Sequence, residues 1–242
     1  MFSRNQIDDY GISEIASSLD KCFDLQTISL SLFDNLISDE GVSSLGYSLQ
    51  KCNNLATLSL ELSKNQISDV GVSSLAYSLS NSTKISALIL LLAENQIGNK
   101  GISDIGSALS KCQNLKNLTI FLGGNQFGID GVSDFSSTLE NFSNLLYLML
   151  FLESNQISDK GVANLGVGLS KCPNLVSLTL NISSNDIFNK GTSDLNLALS
   201  KTTNLLYLKL YLSDNQISEA SQENFKINIL KNNRLVHIDL CF

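Results

Sequence analysis

The chain is poor in the residues that most enzymatic chemistry uses. Among 242 residues there is one histidine, His237, and no tryptophan. A single imidazole disfavours histidine-rich metal sites and relayed acid–base chemistry. Arginine occurs twice, at Arg4 and Arg234, which nearly excludes phosphate recognition by an arginine cluster. Positive charge is scarce as well. Sixteen Lys and Arg against 23 Asp and Glu leave a net charge of −7. A chain of that balance repels phosphate, so neither nucleic acid nor an anionic membrane is an expected partner. No run of about 18 apolar residues occurs. The opening Met1-Phe2-Ser3-Arg4-Asn5 leads straight into polar chain, without the apolar core of a signal peptide. The phosphate-cradling pattern G-x-x-x-x-G-K-[ST] is missing. Gly123-Gly124 stands directly before an asparagine and reads as a turn.

What is present is a core-forming, repetitive chain. Hydrophobic residues make up 43% of it and the mean hydropathy is +0.11, which argues against disorder. Asn recurs at 5, 35, 65, 95, 125, 155, 185 and 215, an unbroken step of 30. An apolar residue follows two positions on, from Ile7 through Phe127 to Ile217. Gly follows at 11, 41, 71, 101, 131, 161 and 191, with Ser221 in the last unit. Such a period is the mark of a repeat architecture. No insertion or change in composition suggests a second domain, so residues 1–242 are expected to form one domain of about eight units.

Within a unit the apolar period changes. Leu55, Leu58, Leu60 and Leu62 alternate as in a strand, and Leu145, Leu148, Leu150 and Leu152 repeat the pattern. Val72, Leu75 and Leu79 then mark one helical face. Ser68 or Asp69 is placed to cap that helix. Lys21, Lys51, Lys111, Lys171, Lys201 and Lys231 fall in one column at the helix ends, the sign that complements a helix dipole. A single unit cannot bury its apolar faces alone, so neighbours must stack. Helices need about 10 Å each and strands about 4.8 Å, so the stack curves with the strands inside.

These residues carry a resemblance. L-x-x-L-x-L-x-L-x-x-N-x-I followed by S-D-x-G-V-x-x-L-x-x-x-L resembles the leucine-rich repeat, and eight units agree in phase over roughly residues 5–242. The glycine and full helix, as in Gly41-Val42-Ser43-Ser44-Leu45, resemble the ribonuclease-inhibitor-like subclass. The fold implied is a curved α/β solenoid with a parallel sheet on the concave face and helices on the convex face. One departure stands out: Ile28 precedes Asn35 by seven residues, where the usual motif has five. The extra pair implies either a longer strand or a bulge before the turn. The resemblance further assigns Asn35, Asn65, Asn95, Asn125, Asn155 and Asn185 to an asparagine ladder that bonds backbone groups of adjacent turns. The Asn- and Ser-rich composition is similar to repeat arrays of ciliates and other protists, where such arrays occur in cytoskeletal or ciliary assemblies.

Side chains between the inward leucines are expected to line the concave groove. In the first units they are small and polar, as at Thr27, Ser29 and Ser31. Later units concentrate Ile89, Leu91, Phe121, Tyr147, Met149, Phe151, Tyr207 and Tyr211. An exposed apolar and aromatic patch marks an interaction site, although aromatic side chains also stabilise a sheet by stacking along it. These eight residues are the candidate partner-binding site.

No catalytic, cofactor or metal site is assigned. His237 and Asp239 stand two apart in a predicted strand, but no Ser or Cys nucleophile in an orienting context accompanies them. Asp9, Asp39, Asp69, Asp159 and Glu219 give one carboxylate per unit, a pattern that suits helix starts rather than a metal. Cys22, Cys52, Cys112 and Cys172 share a column with Ser82, Phe142, Thr202 and Asn232. That variety reads as packing, with reduced thiols in a cytoplasmic setting. The chain opens on a turn with no strand before Asn5 and closes on a strand, so a longer parent chain or a partner at one end is expected. The leading reading is a non-enzymatic scaffold that binds a protein on the concave face. The alternatives are a regulatory module acting on an enzyme, as the inhibitor of ribonucleases and the activator of the Ran GTPase do in the same subclass, or a structural part of a large assembly.

Overall fold

The change of period within each unit becomes a change of element. The computed structural model describes residues 2–22, 24–232 and 234–242. Eight strands, β1 Thr27–Ser31, β2 Thr57–Glu61, β3 Ala87–Leu91, β4 Asn117–Phe121, β5 Tyr147–Phe151, β6 Ser177–Asn181, β7 Tyr207–Tyr211 and β8 His237–Cys241, form one sheet in chain order. Every neighbouring pair is parallel, and the register is 30 residues at each joint: Thr27 faces Thr57, Leu118 faces Leu148, and Tyr207 faces His237. Helices alternate with the strands: α1 Asp9–Leu19, α2 Asp39–Leu49, α3 Asp69–Ser80, α4 Asn99–Leu109, α5 Ile129–Thr138, α6 Ser158–Lys171, α7 Asn189–Leu199 and α8 Glu219–Leu230. Consecutive helices pack side by side, and the wider spacing of helices than strands makes a curved solenoid with the sheet on its concave face. Among the described residues, no helix is long and apolar enough to cross a membrane.

The core runs as one continuous layer between sheet and helices. In the second full unit, Leu58, Leu60 and Leu62 enter it from the strand side, Ile67 from the turn, and Val72, Leu75 and Leu79 from α3; all are buried. At the ends the layer thins. Ile7, Ile15, Leu25 and Leu30 at one end, and Leu235, Ile238, Leu240 and Phe242 at the other, are only partly buried.

The two extra residues per unit lengthen the strand pairing, and among the described residues no bulge interrupts its register. Beyond β2, the Leu62 N–H donates to Leu91 O at 2.8 Å and the Lys64 N–H to Ala93 O at 2.9 Å, so the parallel pairing runs on in constant register. The chain then reverses at the residue before each asparagine. Asp34, Lys64, Glu94, Gly124, Ser154, Ser184 and Asp214 all have φ between 53° and 66°. Only one of the seven is glycine, so six accept the left-handed cost of roughly 1–2 kcal/mol. The turn that follows must over-determine the geometry. At the first end, although no strand is expected before Asn5, the Phe2 and Arg4 N–H groups donate to Ser31 O and Phe33 O at 3.0 and 2.8 Å.

Candidate functional site

Three columns of side chains fix the surfaces that the solenoid presents. The first is the buried asparagine column. The Asn65 amide donates to Leu32 O and Leu62 O, each at 3.0 Å, and its Oδ1 accepts from the Ile37 N–H at 3.0 Å. Asn95 repeats this with Leu62 O, Leu92 O and the Ile67 N–H. Asn35, Asn125 and Asn185 make the same class of bonds, and Asn215 adds a further rung with Ile182 O and Leu212 O. Each such amide closes the tight turn onto the unit before it, satisfying carbonyls that would otherwise be buried unpaired. Asn155 donates to Leu122 O and Leu152 O, but its Oδ1 is buried without a hydrogen-bond partner.

The second column differs from the sequence expectation. Asp69 was a candidate cap of its own helix; instead Ser68 is the N-cap of α3, and its hydroxyl accepts from the Val70 N–H at 3.2 Å. The carboxylate at each helix start reaches forward to the next helix. Asp9 accepts from the N–H groups of Ser38 and Gly41 at 2.7 and 3.0 Å, and Asp39 from those of Ser68 and Gly71 at 2.7 and 2.9 Å. Asp69 does the same for Gly98 and Gly101, and Asn99 for Gly128 and Gly131. This explains the glycine column: a Cβ on Gly41 would lie 2.5 Å from Asp9 Oδ1, and one on Gly71 2.5 Å from Asp39 Oδ1. Among the described residues the link fails once, between α5 and α6. Ile129 stands where the others have Asp or Asn, and Ser158, which would have been its partner, turns to φ +54° and donates its N–H to Asn185 O instead. Asn155 Oδ1 lies at this same joint.

A third column, on the edge where helices end and strands begin, was not anticipated. The Asn114, Asn144, Asn174 and Asn204 amides donate to Thr83 O, Gln113 O, Ser143 O and Pro173 O at 2.6–2.7 Å. Arg234 takes the same place in the last unit and donates to Thr203 O. The 30-residue step of these asparagines was the available signal.

On the concave face the candidate residues form two strips rather than one uniform patch. Tyr147, Met149, Ile89 and Tyr207 are 50%, 40%, 37% and 46% exposed. Leu91, Phe121, Phe151 and Tyr211 are half-buried, because the register sets them side by side. Leu91 faces Phe121, and Phe121 faces Phe151. The Phe121 and Phe151 rings stack at 4.0 Å and 13°, and Tyr211 lies 6.5 Å from Phe151 at a tilt of 37°. Part of this aromatic surface is thus spent on the sheet itself. Beside it, Glu153 lies across Gly123, where an added Cβ would meet its carboxylate at 2.5 Å. Glu153 Oε2 has no hydrogen-bond partner, and burial raises this carboxyl above the usual range.

Sequence reasoning missed apolar surface elsewhere. The position before each strand reads Gln26, Ala56, Ser86 and Lys116, then changes to Leu146, Val176, Leu206 and Val236. The convex helices expose Tyr47, Tyr77, Val167, Leu197 and Ile227 in a single column.

Asp239 and three of the five thiols are occupied or screened, while the Cys22 thiol is exposed. Asp239 pairs with Lys209 at 2.9 Å, and Lys209 also sits 5.2 Å from the Tyr211 ring; the ammonium is held well above its ordinary range by Tyr211 and Asp239. All five cysteines are free thiols, with Cys52, Cys112 and Cys172 buried. Burial pushes Cys112 and Cys172 up to about 11.

The model of the leucine-rich repeat family matches residues 28–46 and 54–76. No curated protein sequence matches significantly. Among solved structures, one similar chain is the actin-binding site 2 of leiomodin-1. It is 18% identical, covers 66% of this chain and 87% of its own, and has a TM-score of 0.46. The family match falls on the first two strands and the helices that follow them, and the same residues recur at the same step through all eight strands. Residues 28–46 and 54–76 are similar to the leucine-rich repeat, and the whole chain folds as a curved α/β solenoid that repeats their pattern.

Proposed function

We propose that the protein is a non-enzymatic interaction scaffold, with residues 1–242 as one domain of eight 30-residue units. It binds a protein partner on the concave face around Tyr147, Met149 and Phe151. The observation that carries this reading is the exposure of Ile89, Tyr147, Met149 and Tyr207 on a sheet face whose first units are small and polar. Rings and a thioether left open to water on one sheet face, on β5 and β7, are the anchors that interfaces use. The full helix in each unit supports the ribonuclease-inhibitor-like subclass, and five free thiols support a reducing, cytoplasmic setting. Inhibition of a basic enzyme is less favoured, because the concave columns carry few acids and Asp239 is already paired.

The test is a cross-linking pull-down from native extract with wild type and Tyr147→Asp/Phe151→Asp, after circular dichroism has established that both are folded. A partner captured by wild type and lost in the variant is the expected result. Identical partners in both would remove the concave face from consideration.

A further inference from the structure

The edge of the solenoid where helices end and strands begin differs from the rest of the molecule in charge and in polarity. The connections at residues 169–176, 199–206 and 229–236 contain Lys171, Lys201, Lys231 and Arg234 and no Asp or Glu. Lys171 pairs with Glu140 of the preceding connection at 3.2 Å, so Lys201, Lys231 and Arg234 form the basic end of this edge on a chain of net charge −7. The carboxylates gather on the opposite edge, where Asp159, Asp186, Asp214 and Glu219 stand in the turns and helix starts. Along the edge where strands begin, the residue before each strand is apolar from the fifth strand onward. Leu206 and Val236 are 36% and 72% exposed. Leu146, Val176 and Leu206 line one open groove of about 580 Å³ together with Arg234 and the polar Asn174 and Asn204. Apolar side chains repeat along the groove once per strand spacing, about 4.8 Å.

We propose that this edge is a docking surface for an acidic protein segment that carries apolar side chains. The apolar row offers burial, and the lysines and Arg234 select the sign of the partner. The proposal does not rest on the concave-face reading. The two surfaces meet near Tyr147 and Tyr207 but are built from different residues, and variants of each separate them.

The test uses the whole chain and a labelled synthetic peptide that alternates Glu and Leu, with binding followed by fluorescence anisotropy. Two counterparts are measured beside it, one with Lys for Glu and one with Ser for Leu. The Glu/Leu peptide is expected to bind, to weaken as salt rises, and to exceed both counterparts by about tenfold or more. Val236→Asp and the double variant Lys201→Glu/Arg234→Glu are each expected to weaken it by a similar factor, while Met149→Asp leaves it unchanged. No binding of the Glu/Leu peptide would overturn the proposal, and so would equal binding of the Lys/Leu peptide. Loss on Met149→Asp with none on the edge variants would move the segment to the concave face. Inorganic polyphosphate binding as tightly as the peptide would reduce the edge to a plain anion sink.

Discussion

A buried amide with three partners is worth more to this protein than any of its ion pairs. Asn95 satisfies two carbonyls and one N–H from two different units, whereas Lys100–Asp104 and Lys190–Asp194 lie at the surface. Asn95→Ala is therefore expected to cost about 3 kcal/mol by urea denaturation, because it leaves those groups buried and unpaired. Gly124 is the one glycine in the left-handed column, and an added Cβ would meet Glu94 Cγ at 3.2 Å. Gly124→Val should cost about 1–2 kcal/mol, with Gly124→Asn nearly neutral as the check on backbone strain. The buried thiols give a pH signature. Cys112 and Cys172 are raised from 9.0 to about 11 in the fold. The unfolded chain ionises first, so their stabilisation is complete below pH 9 and is lost as pH rises towards 11. Each contributes roughly 2–3 kcal/mol to that loss. Stability measured across this window should fall, and the fall should shrink in Cys112→Ala/Cys172→Thr.

Helix starts are joined to one another rather than capped in isolation. The forward reach of Asp39 to Ser68 and Gly71 makes it a link between α2 and α3. Asp39→Ala is expected to cost about 1–2 kcal/mol, and Asp39→Asn less, since Asn99 already fills this role. Ile129→Asp should have the opposite sign. It supplies the missing acceptor, lets Ser158 leave φ +54°, and should raise the denaturation midpoint. Much at this scale was legible in the sequence. The strand and helix periods placed all eight pairs of elements, because Leu58, Leu60, Val72 and Leu75 are core residues whose spacing is dictated by the element that holds them. The direction of the Asp reach was not legible, since a helix-start acid looks the same whether it serves its own helix or the next. The half-burial of Phe121 and Phe151 was also hidden, because it depends on ring stacking between strands 30 residues apart. The apolar row at Leu146, Val176, Leu206 and Val236 was readable in principle, as a column that changes character at the fifth strand.

The whole solenoid holds together through nearest neighbours, so its stability varies along its length. The middle units bury inward leucines such as Leu90, Leu118, Leu148 and Leu150 almost completely, whereas Leu30, Ile238 and Leu240 at the ends are partly open. Amide hydrogen exchange is expected to be slowest in β3 to β6 and fastest in α1, α8 and β8. Uniform protection would contradict a stack of neighbour-coupled units. Charge also leans across the width of the molecule: acids outnumber bases along the turns and helix starts, where Lys100 and Lys190 also stand, while Lys201, Lys231 and Arg234 mark the opposite edge of the last units.

The failed link at Ile129 bears on mechanics. A solenoid is a spring, and the stiffness of each coil follows from the cross-ties that bind it to the next. Between the fifth and sixth helices one tie is missing at Ile129, and a second is idle at Asn155 Oδ1. Bending compliance should therefore concentrate at that coil. It is the coil that carries Tyr147, Met149 and Phe151, so the arc can open or tighten where its rings are displayed.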